Sequence, residues 1–113
     1  MKELGSLEEW EERLGRSDDE LFFVFKHSTA CPISVRAKDR VDVYVEGAGD
    51  SVPEFLLVKV IESRVVSNAI ADGLGVRHAS PQLILVKGGK GVWNTSHHLI
   101  ASENIESALQ DFN

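Results

Sequence analysis

A single cysteine, Cys31, is all the thiol chemistry this 113-residue chain offers. One thiol closes no intrachain disulfide and cannot supply the paired thiolates of a structural zinc site, so no metal is expected. Cys31 is therefore either a small buried apolar residue or a reactive thiol. Long apolar runs are also missing. The longest, Leu21–Phe25, spans five residues, against about 18 or more for a membrane span, so no membrane partner is expected. Clustered Lys and Arg are absent, with 18 acidic residues against 12 basic ones and a formal net charge of -6. That balance argues against a nucleic-acid partner, whose phosphates need neutralising. The opening Met1-Lys2-Glu3-Leu4-Gly5 has no basic segment leading into an apolar stretch, and the expected location is the cytoplasm. The acidic groups at 8–12 and 18–20 read as solvated surface.

What is present suffices for one domain, 1–113, with 42% apolar residues to build a core. Ser6-Leu7-Glu8-Glu9 is a capping box: Ser6 accepts from the Glu9 amide and Glu9 reaches back. Leu7, Trp10 and Leu14 then share a face, which predicts a helix over 6–14 ended by a left-handed Gly15. Leu21–Phe25 is too short and too aromatic for a helix and reads as a central strand, apolar on both faces. Pro32 suits a first helical turn, and Val41, Tyr44, Val45 and Ala48 repeat at helical spacing, giving a helix over 32–47. Phe55–Ile61 is a second buried strand, parallel to the first through a right-handed crossover.

Ser63 caps a third helix carrying Val66, Ala69, Ile70 and Leu74, which Gly73 and Gly75 bring to an end. Gln82–Val86 and Val92–Thr95, joined by the glycine-rich 87–91 segment, form an antiparallel hairpin. Ser102 begins a last helix bearing Ile105, Ala108, Leu109 and Phe112. The order predicts an α/β domain with a mixed four-stranded sheet and helices on both faces, which is the order of the thioredoxin fold.

In that order Cys31 follows the first strand and the loop His27-Ser28-Thr29-Ala30, and precedes the proline that opens the second helix. Backbone amides and the positive end of a helix dipole stabilise an anion there, which favours a reactive thiolate. Lys26 and His27 are candidate sources of further positive charge, against the plainer readings of a solvated lysine and a structural histidine. Ser34 stands three residues on, where a dithiol oxidoreductase places its resolving cysteine; otherwise it is a serine on the helix surface. Without a second thiol, a disulfide captured by Cys31 needs an external thiol for release. Ser80-Pro81 opens the third strand. A proline there cannot donate to a sheet ladder, which leaves a backbone edge beside the Cys31 loop for an extended thiol substrate.

The segments Lys26–Ser34, Ser67-Asn68, Gly75–Gln82 and Trp93–His97 together resemble the monothiol bacilliredoxins, thioredoxin-like proteins of the bacillithiol system, over nearly the whole chain. The resemblance implies that Cys31 removes bacillithiol from S-bacillithiolated proteins, with bacillithiol as thiol co-substrate and no tightly bound cofactor. It implies supporting roles for His27, Thr29, Pro32 and Ser34, and a thiol-binding edge at Ser80, Pro81, Ser96 and His97. The family usually has a histidine where this chain has Asn94, so a role for that histidine does not carry over.

Two other readings stand beside this one. A monothiol glutaredoxin-like carrier would share an iron–sulfur cluster across a dimer, but that class places glycine after the cysteine and here Pro32 follows it. A non-catalytic binding module would keep the fold with Cys31 as a passive thiol.

Overall fold

The computed structural model describes residues 1–112. Its elements in chain order are β1 (Lys2–Glu3), α1 (Leu7–Gly15), β2 (Phe22–His27), α2 (Pro32–Ala48), β3 (Glu54–Lys59), α3 (Arg64–Leu74), β4 (Gln82–Lys87), β5 (Lys90–Ser96) and α4 (Ser102–Phe112). Single 3-10 turns cover Gly49–Ser51 and His97–Leu99.

The sheet has five strands in the order β1-β3-β2-β4-β5, not four. The extra strand is β1, which runs parallel to β3 with Lys2 opposite Leu56 and Glu3 opposite Leu57. Two charged residues carry no alternation that a sequence reading can detect. The central β2 is parallel to β3 and antiparallel to β4, and β4 is antiparallel to β5. The β4–β5 turn is tight because Gly88 and Gly89 both take positive φ, 58° and 74°, the twist that two-residue hairpins favour.

Side chains alternate across β2 and divide the core into two layers. Phe22 and Val24 pack with Trp10, Leu56, Val66 and Ile70 beneath α1 and α3. Phe23 and Phe25 pack with Ala37, Val41, Leu83, Ile100 and Ile105 beneath α2 and α4. All of Phe22–Phe25 is fully buried, each large side chain contributing about 1.5–3 kcal/mol. Both core layers meet at the strand that leads, through the short loop 28–30, to Cys31.

Helix ends hold some surprises. The capping box at Ser6 forms, with the Glu9 amide donating to Ser6 Oγ at 3.2 Å. Glu9 reaches back to the Gly5 amide at 3.1 Å. Gly15 does not take the left-handed conformation; it lies in the last turn of α1, and Arg16 is the cap. On the inner face of α1, Leu7 stays 38% exposed while Arg13 is buried. The Arg13 guanidinium lies 4.2 Å over the Phe22 ring and donates to Glu54. Ser63 precedes α3 without a side-chain cap bond, whereas Gly75 ends that helix in the left-handed conformation as its position predicts.

Candidate active site

Three chain segments meet at one end of the sheet. Because β2 and β4 are antiparallel with Lys26 opposite Gln82, the end of β2 that feeds Cys31 lies beside the start of β4, where Ser80-Pro81 stands. The Ser80-Pro81 peptide bond is cis. The end of β5 joins them, since the His97 amide donates to the Pro81 carbonyl at 3.2 Å. Arg40 of α2 then ties that corner down, donating to the carbonyls of Ile100 at 2.8 Å and His97 at 3.1 Å.

Cys31 is the N-cap of α2, half-buried, with extended backbone and Pro32 at the next position. The Cys31 carbonyl accepts the Val35 amide at 3.0 Å, and the Cys31 amide donates to Ser28 at 3.3 Å. Pro32 has no N–H to lose, so it begins the helix without cost. The remaining first-turn amides have no intrahelical acceptor and the Cys31 side chain makes no cap bond to them; the helix dipole favours negative charge at this position.

The loop from His27 to Cys31 is held from below. Ser34 is fully buried, not on the helix surface, and its Oγ accepts the Ser28 amide at 3.0 Å and lies 2.7 Å from His27 Nδ1. His27 is itself buried, stacks on Phe25 at 5.8 Å between ring centres, and accepts the Val60 amide on its carbonyl at 3.0 Å. Burial, and next the Lys38 cation, hold the imidazole below its ordinary range. His27 therefore stays neutral near pH 7 and supplies structure, not the positive charge that its sequence position suggested. Thr29 is exposed and donates to Glu62 at 3.2 Å, joining the cysteine loop to the β3–α3 connection.

Lys26 also departs from its expected place. Strand alternation turns it away from Cys31 to the α3 side, where it is fully buried and its Nζ lies 3.1 Å from His78 Nδ1. Burial, opposed in part by Asp72, pushes its pKa down to about 8. Beside it Gln82 Nε2 donates to the Arg77 carbonyl at 2.9 Å. Together these two side chains tether the 75–80 loop that carries Ser80-Pro81.

The edge beside Pro81 is not fully open, since His97 occupies the Pro81 carbonyl. What remains is Ser80, whose backbone makes no hydrogen bond among the described residues. Its Oγ is buried with no partner there. Ser96, half-buried at the end of β5, pairs with Gln82 in register. His97 has φ of 56°, a left-handed conformation uncommon outside glycine. Sequence reasoning missed the Lys26–His78 contact and the role of Arg40. The helical spacing of Ile33, Arg36 and Arg40 was the available signal for a basic stripe beside Cys31.

Among the described residues no group of three or more His, Cys, Asp or Glu side chains is placed to hold a metal ion. No helix of the described residues is long and apolar enough to cross a membrane.

Comparison with known proteins agrees with this geometry. The family model of the monothiol bacilliredoxin BrxC matches residues 2–105. A solved thioredoxin-fold structure, proposed to be an oxidoreductase, is 30% identical over 96% of this chain and 92% of its own, with a TM-score of 0.81. Thioredoxin from Fasciola hepatica is similar with a TM-score of 0.76 at 18% identity, both chains covered fully. Mitochondrial thioredoxin 3 from Saccharomyces cerevisiae gives 0.71 at 18% identity, over 99% of this chain and 95% of that one. At 18% identity these two speak for the fold alone, and that fold is the thioredoxin fold.

Proposed function

Because the chain belongs to the monothiol bacilliredoxin family, and with it to the thiol-redox proteins of the thioredoxin fold, we propose that Cys31 removes bacillithiol from S-bacillithiolated proteins. The observation that carries this reading is the pairing of Cys31 at the N-cap of α2 with Ser34, a buried hydroxyl where a second thiol would resolve the intermediate.

In the first step the Cys31 thiolate attacks the bacillithiol sulfur of the protein mixed disulfide. The old S–S bond breaks, a Cys31–bacillithiol S–S bond forms, and the substrate protein leaves as a thiolate that takes up a proton. In the second step an external thiolate attacks the bacillithiol sulfur, forms a new disulfide with it, and releases Cys31 as thiolate. No net oxidation occurs in either exchange. The nucleophile stands at the N-cap of α2, by the positive end of the helix dipole. Ser80, Pro81, Ser96 and His97 form the edge against which the leaving thiol and its protein lie. His27 and Ser34 brace the loop, Thr29 links it to Glu62, and Pro32 starts the helix. The cytoplasm is the compartment in which such a free thiol and its low-molecular-weight partner persist.

Mass spectrometry tests the proposal. After incubation with an S-bacillithiolated protein, an adduct of bacillithiol mass on Cys31 and loss of the adduct from the substrate are expected, and both vanish in Cys31→Ser. An unchanged substrate adduct with unmodified Cys31 would reject it.

A further inference from the structure

Two residues beyond Cys31, Ile33 opens a shallow cleft of about 600 Å³ between α2 and the β5–α4 turn. Its size suits a small molecule and not a folded partner. Ile33, Arg36 and Arg40 lie at i, i+3 and i+7 on α2 and form one wall; His97, His98 and Leu99 form the other. In a chain with six more acidic than basic residues, 18 against 12, no acidic side chain lines this cleft.

The walls divide the work. Arg40 is engaged with the His97 and Ile100 carbonyls, so it fixes the shape. Arg36 is exposed, and among the described residues no carboxylate lies within ion-pair distance of it. His97 and His98 are exposed beside it, and each imidazole offers an N–H donor. Ile33 and Leu99 are 46% and 49% exposed and present apolar surface to a carbon skeleton. Cys31 itself does not line the cleft, but the His97 wall is bonded to the Pro81 carbonyl at 3.2 Å, so the cleft adjoins the corner where Cys31 stands and lies open to the body of a thiol bonded to it.

We infer that this cleft seats the carboxylates of the low-molecular-weight thiol half of the mixed disulfide, with Arg36 and His98 as specificity-determining residues. The inference rests on the thiol-exchange reading above and adds to it the chemistry by which the thiol is selected. A guanidinium meets a carboxylate with charge-assisted, often bidentate hydrogen bonds, and a thiol without carboxylates gains nothing from it.

One carrier protein is prepared as two mixed disulfides, one with bacillithiol, whose malyl group bears carboxylates, and one with cysteamine, which bears none. Arg36→Gln should lower kcat/KM for the bacillithiol adduct about tenfold, through KM, and leave the cysteamine adduct unchanged. His98→Gln should act in the same direction, and Arg36→Lys should retain part of the discrimination. No change on either adduct would overturn the inference. An equal loss on both would also overturn it, because the recognised carboxylates would then belong to the carrier protein. Failure of the wild-type chain on both adducts is a separate result, which removes the thiol-exchange reading itself.

Discussion

Ser34 Oγ lies 2.7 Å from His27 Nδ1 while accepting the Ser28 amide at 3.0 Å, so one buried hydroxyl joins α2 to the two consecutive residues at which the chain leaves β2. With the amide donating to Oγ, the hydroxyl proton is available to the Nδ1 lone pair of a neutral His27, which then carries its own proton on Nε2. The position that a dithiol enzyme gives to its resolving sulfur here serves as a strut. It sets the loop on which Cys31 rides.

Ser34→Ala removes that strut and leaves the buried His27 Nδ1 and the Ser28 amide without a partner. Unfolding in urea should show a loss of about 1–3 kcal/mol, with Cys31 still alkylated by iodoacetamide. A loss below about 0.5 kcal/mol, the ordinary range for surface substitutions, would mean that the two hydrogen bonds contribute nothing.

Ser34→Cys should convert the chemistry. Positions 31 and 34 lie on one helical turn at a Cα spacing compatible with a disulfide, within about 4.4–6.8 Å. A variant exposed to a bacillithiolated protein should then lose two hydrogens in mass as an intrachain disulfide forms and bacillithiol is expelled. A bacillithiol adduct that persists on Cys31 of this variant would refute the assignment of position 34 as the resolving position.

Much of this was legible in the sequence because it rests on local rules. The aromatic run at 22–25, the capping box at Ser6, the prolines at 32 and 81 and the paired glycines at 88 and 89 each restrict the backbone in one direction, and the thioredoxin-fold order follows from their sequence. The strand β1 was invisible, since Lys2 and Glu3 become a strand only through the neighbouring edge of β3. The side of the sheet taken by Lys26 and His27 was equally hidden. A strand end beside a loop does not reveal whether a polar side chain is solvated or enclosed until the helices above and below it are placed. The burial of Ser34 was hidden for the same reason: its partners Ser28 and His27 lie six and seven positions away.

Acid should weaken the fold through two histidines. Burial first and then Lys38 lower the His27 pKa, and in His78, which keeps an exposed face, partial desolvation followed by Lys26 and Arg64 acts in the same direction. In the unfolded chain both bind protons near about pH 6.5, while the folded chain binds them only at lower pH. Between those limits the unfolded state carries more protons, so stability rises with pH and is lost as pH falls below about 6.5. His78→Gln should remove part of this dependence. A urea midpoint no lower at about pH 5.5 than at about pH 7.5 would contradict the sign argued here.

At alkaline pH, Lys26 should act in the same sense over a higher window. Its ammonium is fully buried and faces His78 Nδ1 at 3.1 Å, and burial brings its pKa down to about 8 from the ordinary 10.5. Above about pH 8 the folded chain has released this proton while the unfolded chain still holds it, so stability rises with pH until about 10.5. Lys26→Met, similar in length and without charge, should lack that rise. Subtracting the variant's pH profile from the wild type's cancels contributions from other groups, such as Tyr44, whose pKa burial raises. The difference should climb by on the order of 1–3 kcal/mol across the window. A flat difference would mean that the Lys26 ammonium finds water or a carboxylate when the protein is in solution, and that the 75–80 loop opens far enough to admit it.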